Sequence, residues 1–75
     1  MLVKRPEYNV VVDKKVVEPA QAWCLEQLGS RWEAIGNRSG NWCCFWAGFR
    51  GENAGKYIFH FTHYEDAVLF ALKWQ

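Results

Sequence analysis

The sequence lacks an excess of charge of either sign. Its 75 residues carry nine Lys and Arg against eight Asp and Glu, a formal net charge of +1. A domain that binds nucleic acid is usually strongly basic, so this balance gives no general electrostatic reason to expect nucleic acid. A local basic patch remains compatible with it.

Long apolar runs are also absent. No stretch approaches the ~18 apolar residues needed to span a bilayer. The N-terminal stretch contains Lys4, Arg5 and Glu7, and it lacks the continuous apolar segment of a signal peptide. We therefore expect a soluble, cytoplasmic protein that makes no membrane contact.

Cysteine is scarce and unevenly placed. Cys24, Cys43 and Cys44 are an odd number of thiols, and two of them are adjacent. This pattern does not indicate the disulfide framework of a secreted miniprotein, and it favours a reducing compartment. Neighbouring residues of a strand point to opposite faces, so Cys43 and Cys44 cannot easily share a metal ion. No CxxC pair is present, and we expect no metal or other cofactor.

Catalytic patterns are equally sparse. The glycines at 48, 51 and 55 surround a predicted hairpin turn, so they do not form a phosphate-binding loop between a strand and a helix. One nucleophile is conceivable, Cys44 with His60 as its base on a neighbouring strand. Nothing in the spacing singles this pair out, and we predict that the protein is not an enzyme.

What the sequence does have is an apolar centre at residues 41–50. A strand with one solvated face alternates apolar and polar residues, whereas this segment places large apolar side chains on both faces. One face would carry Trp42, Cys44 and Trp46, and the other Cys43, Phe45, Ala47 and Phe49. Either both faces are covered or one is offered to a partner.

The remaining elements are arranged around this strand. We predict a first strand over residues 8–12, a helix that opens at Glu18-Pro19 and is closed by Gly29, and strands over 31–36, 41–49 and 56–61. A capping box at residues 62–65 predicts a final helix. The order is β-α-β-β-β-α in a single domain, residues 1–75. The class is α+β: a three-stranded antiparallel meander plus an N-terminal strand, with two helices packed on the sheet.

The two helices can cover one face of the sheet, which would leave the other face open. The sequence does not decide which of the two alternating sets in residues 41–50 faces the core, because Trp42 and Trp46 fill a core as readily as Phe45 and Phe49. Trp23 also has two interpretations. It either folds over the edge of its helix onto the sheet or is an exposed anchor.

An open aromatic face favours a binding function. Our leading hypothesis is a non-enzymatic protein that binds a protein partner, or a second copy of itself, through this face and its rim. The predicted partner-binding residues are Trp42, Trp46, Arg50, Arg38 and Trp23. The alternative is a single-stranded nucleic-acid module, which would use the rings of Tyr57, Phe59 and Phe61 together with Arg38, Arg50 and Lys56.

Several short motifs carry a resemblance. They are Trp23-Cys24, Gly29, Arg31-Trp32, Phe59-x-Phe61 and Glu65-Asp66-Ala67-x-Leu69-Phe70-x-Leu72-Lys73-Trp74. Through them residues 20–75 resemble small hypothetical proteins of tailed bacteriophages. The resemblance implies a phage gene product in the host cytoplasm with no assigned activity, so it transfers no catalytic or binding residue.

Overall fold

A computed structural model describes residues 6–33, 35–37 and 39–75 of the chain. The elements are β1 (Tyr8–Val12), a 3-10 turn (Lys14–Val16), α1 (Val17–Leu28), β2 (Trp42–Trp46), β3 (Tyr57–Phe61) and α2 (Tyr64–Trp74). The predicted α+β class, with an antiparallel sheet and two helices packed on it, is confirmed. Gly29 ends α1 as predicted, with a positive φ of 86°.

The strand order in the sheet is β1-β3-β2, so β3 is central and the other two strands are edges. Both pairings are antiparallel. Phe61 lies opposite Tyr8 on one side and Trp42 on the other, while Tyr57 lies opposite Val12 and Trp46. Side chains alternate between faces along each strand, so this register assigns every strand residue to a face.

Both helices pack on the same face of the sheet, as predicted. The buried cluster combines residues of α1 and α2 with every second residue of the three strands, those whose side chains point towards the helices. Its members include Val10, Val12, Ala20, Cys24, Trp42, Cys44, Phe59, Phe61, Ala67 and Phe70. The ring of Phe70 on α2 lies 4.5 Å from that of Phe59 and 5.0 Å from that of Phe61, centroid to centroid. These rings form the centre of the core.

Trp42 belongs to this core, so the prediction that it faces a partner is wrong. Its side chain is only 2% exposed and stacks on Phe59 with ring centroids 6.2 Å apart. Its Nε1 donates a hydrogen bond to the carbonyl of Gly29, 2.8 Å away, just after α1. Burial therefore leaves the one polar atom of the indole satisfied.

The strand predicted over residues 31–36 is also wrong. The described part of this segment forms one isolated bridge, between Glu33 and Asn37. The N–H of Trp32 donates to the carbonyl of Trp42 at 2.6 Å, but the chain then turns back on itself, and Nδ2 of Asn37 donates to the carbonyl of Arg31 at 2.8 Å. The turn takes the backbone away from β2 before a ladder can form. The chain order is thus β-α-β-β-α.

The capping box predicted for α2 does not form. His63 is the N-cap residue, and no side chain bonds to the amides of the first turn. Thr62 instead extends the ladder of β3, where its N–H donates to the carbonyl of Asn41 at 3.0 Å, and its hydroxyl is buried without a partner among the described residues. The acidic first turn and Lys73 in the last turn are placed as predicted for the helix dipole.

Candidate protein interface

Three large aromatic side chains remain exposed where β2 runs into the β2–β3 connection. We call Phe45, Trp46 and Phe49 the aromatic patch; they are 51%, 45% and 86% exposed. Trp46 and Phe49 pack edge to face with ring centroids 4.5 Å apart. Phe45 lies on the other face of β2, so the patch wraps around this corner of the sheet.

The connection that carries Phe49 is closed by its own backbone hydrogen bonds. Ala47 N–H donates to the carbonyl of Lys56 at 2.9 Å, and Gly55 N–H donates to that of Gly48 at 2.8 Å. Gly48 and Gly55 have φ values of 90° and 77°, a backbone region that side chains other than glycine rarely adopt. These bonds close the connection at its base, which reduces the chain freedom that binding would have to remove.

An arginine side chain lies beside these rings. The guanidinium carbon of Arg31 is 5.6 Å from the centroid of Phe45, within the range of a cation–π contact. The Arg31 guanidinium also donates to the carbonyl of Cys44, which anchors it to the edge of β2. Arg50 directly follows Phe49 and is exposed, and so is Glu52 on the same connection.

The predicted site residues are only partly brought together. Trp46 and Arg50 lie in or next to the aromatic patch, and Trp42 is in the core. Trp23 is half-buried and its ring lies 6.0 Å from that of Phe70, so the interpretation as core packing is confirmed over an exposed anchor. Arg38 lies outside the described residues.

Sequence reasoning missed Phe45, Phe49 and Arg31 as members of this site. The sequence predicts Phe49 within the strand, but β2 ends at Trp46, and Gly48 follows two residues later. That glycine was the available signal. No sequence signal located Arg31, because its contact with Phe45 depends on the way residues 29–33 fold along the edge of β2.

The face of the sheet opposite the helices carries Asn9, Val11, Cys43, Phe45, Ile58 and His60. Nδ1 of His60 donates to Oδ1 of Asn9 at 2.5 Å, and the edge of the Phe45 ring meets the His60 ring at a centroid distance of 5.7 Å. Burial lowers the pKa of His60. The aromatic patch therefore continues onto this face through Phe45 and His60.

The conceivable pairing of Cys44 with His60 is wrong, because the two side chains lie on opposite faces. Cys44 is in the core, whereas His60 lies across from Cys43. Burial raises the pKa of all three thiols, that of Cys24 to about 12. The nearby Arg31 offsets the raised pKa only in part for Cys43, as do a hydrogen bond with Gln21 and then Arg31 for Cys44. A raised pKa keeps each thiol protonated, and the thiolate is the nucleophile.

We therefore expect the three thiols of the native protein to react with an aromatic disulfide reagent at least ~10-fold more slowly than a free thiol at neutral pH, because reaction requires opening of the fold. Stopped-flow absorbance with and without denaturant measures this ratio. One thiol that labels at the free rate under native conditions would contradict the expectation.

Within residues 6–33, 35–37 and 39–75, no group of three His, Cys, Asp or Glu side chains is placed to hold a metal ion. No helix in this part of the chain is both long and apolar enough to cross a bilayer.

The chain matches no protein-family model, no curated protein and no solved structure. The resemblance to small phage proteins is not tested by these comparisons and stays a prediction.

Proposed function

We propose that this chain is a non-enzymatic binding protein that engages a partner protein through the aromatic patch. The observation that carries the proposal is the pair Trp46 and Phe49, which pack on each other while both stay exposed. Isolated apolar residues on a surface are ordinary, but adjacent large rings at a corner of a sheet form a contiguous apolar surface.

The composition of the patch is typical of the energetic centre of an interface. Tryptophan and arginine are enriched among residues whose truncation weakens binding by ~2 kcal/mol or more, when water is excluded around them. Trp46 and Phe49 supply the rings, and Arg31 and Arg50 supply donors at the margin. The closed connection restricts the chain that carries Phe49, which lowers the entropy lost on association.

The charges near the patch indicate what the partner should offer. Arg31 and Glu33 line the pocket beside Phe45, and Arg50, Glu52 and Lys56 lie on or next to the connection, so these five side chains sum to a charge of about +1. A balanced margin around an apolar centre fits a protein with an apolar pocket and a mixed polar rim. A nucleic acid fits this margin less well than a protein does, because binding to phosphates needs several uncompensated cations.

The nucleic-acid alternative loses the rings on which it was based. Phe59 and Phe61 are fully buried in the core, and Tyr57 is half-buried on the same face. They cannot stack on bases without unfolding the sheet. Binding of a nucleic acid therefore enters only as one outcome of the test below.

The test compares the wild-type chain with the Trp46→Ala/Phe49→Ala variant and with Leu69→Ala as a matched control. Leu69 is also exposed, at 57%, but lies on α2. A protein captured by cross-linking from a lysate is purified and titrated against all three by calorimetry. We expect the double variant to bind at least ~30-fold more weakly, while Leu69→Ala binds as wild type.

Equal affinity of all three proteins for every captured partner would refute the proposal. A salt-dependent tryptophan fluorescence change with a single-stranded oligonucleotide, lost in the double variant, would refute it in favour of the nucleic-acid alternative.

A further inference from the structure

A small pocket lies between Phe45 of the aromatic patch and residues 31–33. It has a volume of about 250 Å³ and is lined by Arg31, Trp32, Glu33 and Phe45. The lining thus combines two aromatic rings with one guanidinium and one carboxylate. Which ligand suits the pocket depends on how each of these two charges is held.

The guanidinium of Arg31 is held in place by the protein itself. Its Nη2 donates to the carbonyl of Cys44, and its central carbon lies 5.6 Å from the centroid of the Phe45 ring. The backbone of Arg31 is fixed as well, because its carbonyl accepts a hydrogen bond from Nδ2 of Asn37 at 2.8 Å. A guanidinium ordered in this way loses little side-chain freedom when it binds an anion.

The positive charge of Arg31 has no counter-charge nearby. A guanidinium has five N–H donors, and the structure shows one of them in a hydrogen bond, to a neutral carbonyl. All eight Asp and Glu of the chain lie within the described residues, and none of them is within the 4.0 Å of an ion pair with Arg31. The side chain is half-buried, so water solvates the charge only in part. A partly desolvated cation of this kind favours an anionic ligand.

Glu33 lines the same pocket but lies towards the following turn. Its Oε2 is 3.7 Å from the position that a Cβ on Gly36 would take, and the side chain is exposed. Water screens an exposed carboxylate strongly, so Glu33 opposes an anion at Arg31 only in part.

The lining favours a carboxylate over a phosphate. One guanidinium with free N–H donors matches the two oxygens of a carboxylate. A phosphate group carries up to two negative charges, so Glu33 repels it more strongly, and a nucleic acid would need several uncompensated cations. The rings of Trp32 and Phe45 can contact apolar residues on either side of the carboxylate.

We propose that this pocket is the subsite in which the partner protein places an acidic side chain on the guanidinium of Arg31. The apolar residues that flank this Asp or Glu would contact Phe45 and, beyond it, Trp46. The subsite rests on the proposed function and adds the chemistry of the partner, an acidic residue between apolar ones. Once bound, those apolar residues would exclude water from the ion pair and strengthen it.

The test uses two synthetic peptides, N-acetyl-Leu-Glu-Leu amide and its Gln analogue, which differ in the charge of the central side chain. Each is titrated into the isotope-labelled full chain, and the NMR signals of the Arg31 Nε–H and the Trp32 indole N–H are followed. We expect the Glu peptide to bind at least ~5-fold more tightly than the Gln peptide at low salt. At ~0.5 M salt this preference should shrink.

Three variants locate the preference. Arg31→Gln should make the affinities for the two peptides equal, but it also removes the anchor on Cys44. Glu33→Gln leaves that anchor in place and removes the opposing carboxylate, so it should tighten the Glu peptide ~2–3-fold, a gain that loss of the fold cannot mimic. Lys56→Gln is the matched control, since it removes an exposed positive charge outside the pocket and should change either affinity by less than ~1.5-fold.

Equal binding of both peptides to the wild type, binding of neither, or a preference that persists in Arg31→Gln would overturn the subsite. So would a single-stranded oligonucleotide that binds more tightly than the Glu peptide and shifts the same signals. In these cases the proposed function still stands if Trp46→Ala/Phe49→Ala weakens binding of the captured partner. Preference for the Glu peptide together with an unaffected captured partner would support the subsite and refute the aromatic patch.

Discussion

Trp42→Ala should cost ~3–5 kcal/mol in the free energy of unfolding, whereas Trp46→Ala should change it by no more than ~0.5 kcal/mol. The two tryptophans lie on the same strand and face, but Trp42 is 2% exposed and Trp46 is 45% exposed. Removing the buried indole leaves a cavity against Phe59 and deprives the Gly29 carbonyl of its donor. Small domains have ~5–15 kcal/mol in total, so the first variant should be close to unfolding.

Urea denaturation followed by far-UV circular dichroism measures both values, and Trp42→Phe should fall between them because it keeps part of the stacked ring but not Nε1. Equal losses for Trp42→Ala and Trp46→Ala would mean that the helices do not cover the Trp42 end of β2 as described.

The architecture was largely predictable because local patterns and packing agree there. Alternating Phe59 and Phe61 define one face of β3, and the apolar arc of α2 with Ala67 and Phe70 matches it. Pro19 near the start of α1 and Gly29 after its last residue mark the two ends of the first helix. Each of these sequence signals involves residues close together in the chain, and a second signal points to the same element.

Two local predictions failed because tertiary contacts took the same atoms. Thr62 is a good capping residue by composition, but its N–H is used by the ladder to Asn41 and its hydroxyl is buried without a hydrogen-bond partner among the described residues. Residues 31–36 have strand-like composition, yet in the described part of this segment the backbone bond to β2 is the one from Trp32 N–H to the Trp42 carbonyl. In both cases the sequence shows what a residue can do locally but not which long-range partner competes for it.

The candidate site was only half predictable for a related reason. The absence of alternation in residues 41–50 is compatible with two outcomes, both faces of the strand covered or one face offered to a partner. It could not decide between parities, since both faces carry large rings. In the structure Trp42 lies on the core side, where its Nε1 donates to the carbonyl of Gly29, 13 positions away in the chain. The exposed rings are thus those left beyond the reach of the helices, and Phe49 joins them because the chain turns at Gly48.

Gly40→Ala is expected to uncover the β2 edge. A Cβ at this position would lie 2.4 Å from the backbone N of Trp32 and 2.6 Å from the carbonyl carbon of Arg31, and neither atom is the end of a flexible side chain. Residues 31 and 32 must therefore move, which strains or breaks the bond from Trp32 N–H to the Trp42 carbonyl and the anchor of Arg31 on Cys44. Forced overpacking of this kind costs ~1–3 kcal/mol.

The matched control is Ser39→Ala, which removes an exposed hydroxyl bond to Asn37 and should cost no more than ~0.5 kcal/mol. Urea unfolding gives the energies, and hydrogen exchange of the Trp32 amide reports whether the edge is still covered. Since an uncovered β2 edge can pair with other chains, Gly40→Ala should also aggregate at concentrations at which Ser39→Ala stays monodisperse. Retention of wild-type Trp32 protection in Gly40→Ala would show that the close approach of these two backbone segments does not hold the edge.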